Sequence, residues 1–107
     1  MFYLAQAVYN DPLPCSRDVL DGELIPAHAA YIRSGVDRGL VLLAGPKAEE
    51  DGGFVVLRAP DRETLDAFLA GDPLVVNGVQ TFRVTPWRIL DYSPALEGML
   101  GTDPGTP

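Results

Sequence analysis

The sequence predicts an α+β fold, with one antiparallel sheet carrying two helices on one of its faces. Three observations carry this. Four segments read as strands and two as helices, the helices separating the strands. The breaks between them hold Pro, Gly, Asn and Asp, the residues that stop ladders and helices. The 107 residues, 47% of them apolar, suit one domain with a real core and exclude a disordered chain.

Phe2 to Tyr9 is rich in aromatic and apolar residues and reads as the first strand. Asn10-Asp11-Pro12-Leu13-Pro14 ends it, because proline has no N–H to give a ladder. From about Asp18 to Arg38 a longer stretch follows, in which Ile25, His28, Ala29, Ile32 and Val36 fall at helical spacing. Pro26 suits a first helical turn, which places the start of the regular helix near Ile25, and Gly39 is its natural stop. Leu40 to Ala44 is continuously apolar and reads as a buried second strand, broken by Gly45-Pro46. Lys47 to Gly53 is a charged loop and Phe54 to Ala59 the third strand, so strands two and three form a hairpin. Asp61 is placed to cap the second helix, Leu65, Phe68 and Leu69 form its apolar face, and Gly71 ends it. Asp72-Pro73 begins one more helical turn through Val76, and Asn77-Gly78 marks a turn. Val79 to Leu90 carries the last strand, interrupted or bent at Pro86. The order βαββαβ is the split βαβ, ferredoxin-like arrangement. Residues 1–92 form this domain. Residues 93–107 are expected to be a flexible or partner-docking tail, with Leu96, Met99 and Leu100 as its docking side chains.

The second face of the sheet is informative. A sheet covered on one side should alternate apolar and polar residues. Here the first strand puts Phe2, Leu4 and Val8 on one side and Tyr3, Ala5, Ala7 and Tyr9 on the other, and strands two and three are apolar nearly throughout. Two short helices cover one face. A second copy of the chain is the expected cover for the other, which predicts a homodimer packed through the open sheet face.

Charge and cysteine usage exclude several classes. With 15 acidic and 8 basic side chains the net charge is -7, which argues against nucleic-acid binding and against docking on an anionic membrane. No apolar stretch is long enough to span a bilayer, and MFYLAQAVYND lacks the basic and apolar regions of a signal peptide. Cys15 stands alone, so no intrachain disulfide forms, and a cytoplasmic location is expected. Neither a GxGxxG, a Walker A nor a GxSxG pattern is present. One His and one Cys do not make a zinc site, and Glu49-Glu50-Asp51 reads as a solvated loop, so no metal and no cofactor are expected.

His28 is the single histidine, and the only side chain whose ordinary titration lies near neutrality, which makes it the candidate general base or acid. A lone histidine on a helix is more often structural or merely exposed, and spacing alone does not decide between the readings. Asp72 before Pro73 reads as a helix cap; whether it faces His28 is not visible in the chain. Trp87 reads either as core or interface packing or as a pocket wall, and Arg83 and Arg88 on the same strand either as contacts for an anionic substrate or, more readily, as partners for acidic surface groups.

Taken in order, Pro26-Ala27-His28 with Tyr31-Ile32, Gly39-Leu40 leading to Ala44-Gly45-Pro46, Gly52-Gly53, Asp72-Pro73 with Gly78, and Pro86-Trp87 resemble the YCII-related (YciI-like) proteins of the dimeric α+β barrel superfamily. The resemblance covers about Phe2 to Trp87 and leaves the tail unmatched. It implies a ferredoxin-like protomer, a dimer with facing sheets, and a pocket in which a histidine and an aspartate pair, here His28 and Asp72. It further implies a small cofactor-free lyase or isomerase, working by proton abstraction or dehydrochlorination on a small cyclic or aromatic-derived carbonyl compound, with Tyr31 and Trp87 as substrate-binding residues. Where relatives carry an arginine just before Pro-Ala-His, this chain has Leu24 and Ile25, which implies a less charged substrate or a lost activity. The alternative is a non-catalytic small-molecule-binding or interaction module with the same dimeric fold. The implied partners are a second copy and a small-molecule ligand.

Overall fold

The computed structural model describes residues 1–100. Strand β1 (Phe2–Tyr9) is followed by a short helix α1 (Arg17–Val19), a wide π-helical turn (Leu20–Leu24) and the long helix α2 (Ile25–Asp37). Strands β2 (Val41–Pro46) and β3 (Gly52–Arg58) form the hairpin, and helices α3 (Arg62–Ala70) and α4 (Pro73–Val76) precede strand β4 (Gln80–Trp87). All pairings are antiparallel, in the order β2-β3-β1-β4, which is the ferredoxin-like arrangement.

Both long helices pack on the face bearing Tyr3, Ala5, Val55 and Leu57. Leu65, Phe68 and Leu69 of α3 are buried there, with Tyr31 and Ile32 of α2 against them. Gly35 lets α2 approach, since a Cβ at that position would collide with the Phe68 ring and lie 2.8 Å from Val41 Cγ2. Asp61 caps α3 by accepting the Thr64 N–H at 2.7 Å. A second cluster, Leu20, Leu74 and Val79 with Tyr9, Leu24 and Ile25 against it, joins the π-helical turn to α4 and to the ends of β1 and β4.

Several boundaries differ from the sequence expectation. The regular helix α2 starts at Ile25 as expected, but α1 and the π-helical turn stand ahead of it, so that Pro26 sits in the first turn of α2 behind the π-helical turn. A proline ring crowds the carbonyl one α-turn back, and the wider turn accommodates it. Strand β2 does not stop at Gly45-Pro46. It runs through Pro46, which pairs with Gly53, and an edge strand tolerates the missing N–H. Nor is β2 buried within the protomer: Val41 is, but Leu43 is 54% exposed, because β2 is an edge strand and Leu43 lies on the face without helices. Strand β4 ends at Trp87 rather than Leu90. Pro86 pairs with Tyr3 without interrupting it, again because β4 is an edge. Past the sheet, Pro94–Leu96 and α5 (Glu97–Leu100) form short helical turns, and Arg58 Nη1 donates to the Met99 carbonyl at 3.4 Å. The expectation for the tail at 101–107 lies outside the described residues.

The strand register places Leu4, Val8, Leu43, Phe54, Val56 and Trp87 on the face opposite the helices, together with Gln6, Thr81, Arg83 and Thr85. Phe54 is 42% and Trp87 45% exposed.

Candidate functional site

His28 and Asp72 lie 44 residues apart in the chain and meet in the fold. His28 stands in the first turn of α2, and Asp72 follows the end of α3. Nδ1 of His28 is 2.8 Å from Oδ1 and 2.9 Å from Oδ2 of Asp72. An ionised carboxylate only accepts, so Nδ1 carries the proton and donates it. Asp72 is 1% exposed and the His28 side chain 26%.

The carboxylate is fully engaged. Oδ1 also accepts the Leu74 N–H at 3.0 Å, which makes Asp72 the N-cap of α4, and Oδ2 accepts from Gln80 Nε2 at 3.1 Å. The helix-cap reading and the histidine-partner reading of Asp72 therefore both describe the same side chain. Three donors hold it, and these hydrogen bonds replace the water that burial removes. Asp72 in turn fixes the His28 tautomer, so that Nε2 is the basic nitrogen. Nε2 has no hydrogen-bond partner among the described residues.

His28 lines a cavity of about 330 Å³. Its walls are Ile25, Ala29 and Ile32 from α2, Ala7 and Tyr9 from β1, Leu74, Gln80 and Phe82, and the backbone of the β2–β3 hairpin at Gly45, Gly52 and Gly53. Glycine is required on the hairpin wall: Gly52 has φ +139°, and a Cβ there would strike the Ala7 carbonyl oxygen. Tyr9 pairs with Gln80 across β1 and β4, and so sits beside the residue that holds Asp72. Burial, opposed by Arg17 and reinforced by Asp21, Asp51 and Asp72, raises the Tyr9 phenol above its ordinary value. Its hydroxyl is a proton donor at neutral pH.

The other expected site residues lie elsewhere. Tyr31 does not line the cavity. Its hydroxyl donates to the Phe68 carbonyl at 2.8 Å and its ring stacks on Phe68 at 4.9 Å, tying α2 to the end of α3. Trp87 stands at the far end of β4, opposite Phe2 on the face without helices, and is not a wall of this cavity. Sequence reasoning did not single out Tyr9, Ile25 and Gln80 as cavity-lining residues. Gln80 had a signal, since it is a polar residue in phase with Phe82 and Val84 on the inward side of its strand, where an apolar residue is expected. Among the described residues no three His, Cys, Asp or Glu side chains converge as a metal site requires, and no helix is long and apolar enough to cross a membrane.

No curated protein sequence matches the chain at a significant level. Among solved structures, 5-chloro-2-hydroxyhydroquinone dehydrochlorinase from Burkholderia phenoliruptrix, in complex with 2,5-dihydroxybenzoquinone, superposes with a TM-score of 0.64 at 19% identity, over 82% of this chain and 94% of that one. This likeness supports the fold assignment. The family model of the YCII-related domain matches residues 1–88, with His28, Asp72 and all four strands inside the match, and the chain therefore belongs to the YCII-related domain family.

Proposed function

We propose that the protein is a lyase-type enzyme of the YCII kind, in which His28 abstracts a proton from a small cyclic or aromatic-derived carbonyl compound held in the 330 Å³ cavity. The observation that carries this reading is the His28–Asp72 pair: a buried carboxylate holds Nδ1 and leaves Nε2 free on a residue that lines the cavity. Positioned general bases contribute about 10²–10⁴-fold to rate. The proton beside the carbonyl passes to Nε2, and its electron pair forms a new double bond. Chloride then leaves in a dehydrochlorination, or the proton returns at another carbon in an isomerisation. Asp72 is a positioning residue that stabilises the imidazolium formed. This acid–base sequence balances without a cofactor. The activity named for the dehydrochlorinase neighbour supports the same reaction class.

The test is turnover of a panel that begins with 5-chloro-2-hydroxyhydroquinone and extends to other chlorinated ring carbonyls and to lactones. Chloride release and C–H exchange into D2O are followed. His28→Ala should lower any observed rate at least about 10²-fold while the protein stays folded. Turnover unchanged in that variant removes the mechanism, and no turnover of the panel by the wild type leaves a binding module.

The same reading includes a homodimer through the open sheet face, supported by the exposed Leu43, Phe54 and Trp87 there. The lone Cys15 and the acidic surface are compatible with a reducing cytoplasm.

A further inference from the structure

We propose that the cavity is selective for an uncharged, ring-sized ligand whose acceptor oxygen is bound by the Tyr9 hydroxyl, and that it discriminates against the anionic counterpart of the same ligand. This rests on the reading of the His28 cavity as a small-molecule site. The polar groups of the cavity divide by what is already committed. Asp72 accepts three donors, Gln80 Nε2 is spent on Asp72, and His28 Nδ1 is spent on the same carboxylate. The Tyr9 hydroxyl has no partner among the described residues. It is therefore an uncommitted O–H donor on a wall otherwise built of Ala7, Ile25, Ile32 and Phe82. Tyr9 is half-buried, so its hydroxyl is open to water, and a ligand acceptor that takes the place of that water gains a hydrogen bond in a largely apolar setting.

Charge sets the rest of the preference. Among the described residues no lysine or arginine lines the cavity. Arg17, whose charge reaches Tyr9, is paired with Asp21 at 3.2 Å, and Lys47 of the hairpin loop is paired with Asp51 at 3.0 Å. The buried Asp72 carboxylate lies behind His28, in a chain of net charge -7. An anion entering here loses water and meets mainly apolar walls with no fixed cation, since His28 carries charge only when protonated. Ile25 sits one helical turn before His28 on the same wall, where a cation would face the ligand.

The experiment uses two probes of equal shape, 4-hydroxybenzamide and 4-hydroxybenzoate, titrated into the full chain with the imidazole NMR signals of the single histidine as the reporter of the site. The amide should bind at least tenfold more tightly than the carboxylate. Tyr9→Phe should weaken the amide about five- to tenfold, as expected for one hydrogen bond of about 1 kcal/mol. Ile25→Arg should tighten the carboxylate at least tenfold and change the amide less than threefold. If the carboxylate binds as well as the amide in the wild type, or Tyr9→Phe leaves the amide unaffected, the inference is overturned while the site stands. If neither probe moves the His28 signals at millimolar concentration, the small-molecule site itself fails, and the inference with it.

Discussion

Asp72 decides the character of the site because one carboxylate performs two tasks, capping α4 and fixing the His28 ring. The tasks separate by substitution. Asn caps a helix about as well as Asp, so Asp72→Asn should stay folded. It does not hold the Nδ1–H tautomer as a carboxylate does, so the His28 ring nitrogens, read by long-range proton–nitrogen NMR, should change from a single Nδ1–H form to a mixture. The wild-type pattern persisting in Asp72→Asn would mean that the carboxylate does not set the tautomer. Asp72→Ala strands the Leu74 N–H, Gln80 Nε2 and His28 Nδ1 in a buried place. Its unfolding free energy should fall by about 1–3 kcal/mol in a urea titration, well beyond any loss in the Asn variant.

At the level of elements, α2 and α3 must keep their spacing for His28 and Asp72 to meet. Gly35 and Tyr31 set that spacing. Gly35→Ala drives a methyl group into the Phe68 ring and Val41, and overpacking of this kind costs about 1–3 kcal/mol. A urea midpoint equal to wild type would show that α2 can shift freely. Helix α3 also contributes a pH dependence. Thr64 hydrogen bonds hold the Asp61 carboxyl below the usual carboxylate range. A depressed folded-state value contributes stability that is present above the unfolded value, about 3.9, and is lost as pH falls through the folded one. The melting temperature of wild type should therefore drop relative to Asp61→Asn, which caps without titrating, only below about pH 4. Parallel curves across that window would contradict a charged cap.

For the whole molecule, the open sheet face decides the assembly. Leu4, Val56, Leu43, Phe54 and Trp87 share that face, and a second copy placed against it would bury them. Light scattering at micromolar concentration should give twice the 11.5 kDa of one chain, and Leu43→Asp together with Phe54→Asp should give one. A wild-type mass of one chain would remove the dimer. The assembly and the site share the β2–β3 hairpin, since Gly45 and Gly53 wall the cavity while Leu43 and Phe54 lie on the open face, so the double variant should also alter ligand binding.

The order of elements was legible along the chain because it follows from local rules, whereas the burial of β2 was not, because it depends on the strand order. A run rich in aromatic and apolar residues marked β1, helical spacing marked α2, Asp61 and Gly71 marked the ends of α3, and Asn77-Gly78 the turn into β4. The sequence also singled out His28 by its chemistry and, through family resemblance, paired it with Asp72. Where boundaries went astray, at Pro46 and Pro86, the cause was nonlocal: proline is tolerated in a strand only at a sheet edge, and which strands are edges depends on the strand order. The packing of the layers sets the rest: Nδ1 meets both Asp72 oxygens, Gln80 and Leu74 complete the cradle, and Tyr9 rather than Tyr31 or Trp87 stands in the cavity. Contacts between residues 44 positions apart, or between the ends of β1 and β4, are set by how layers pack, and no spacing along one chain encodes that distance.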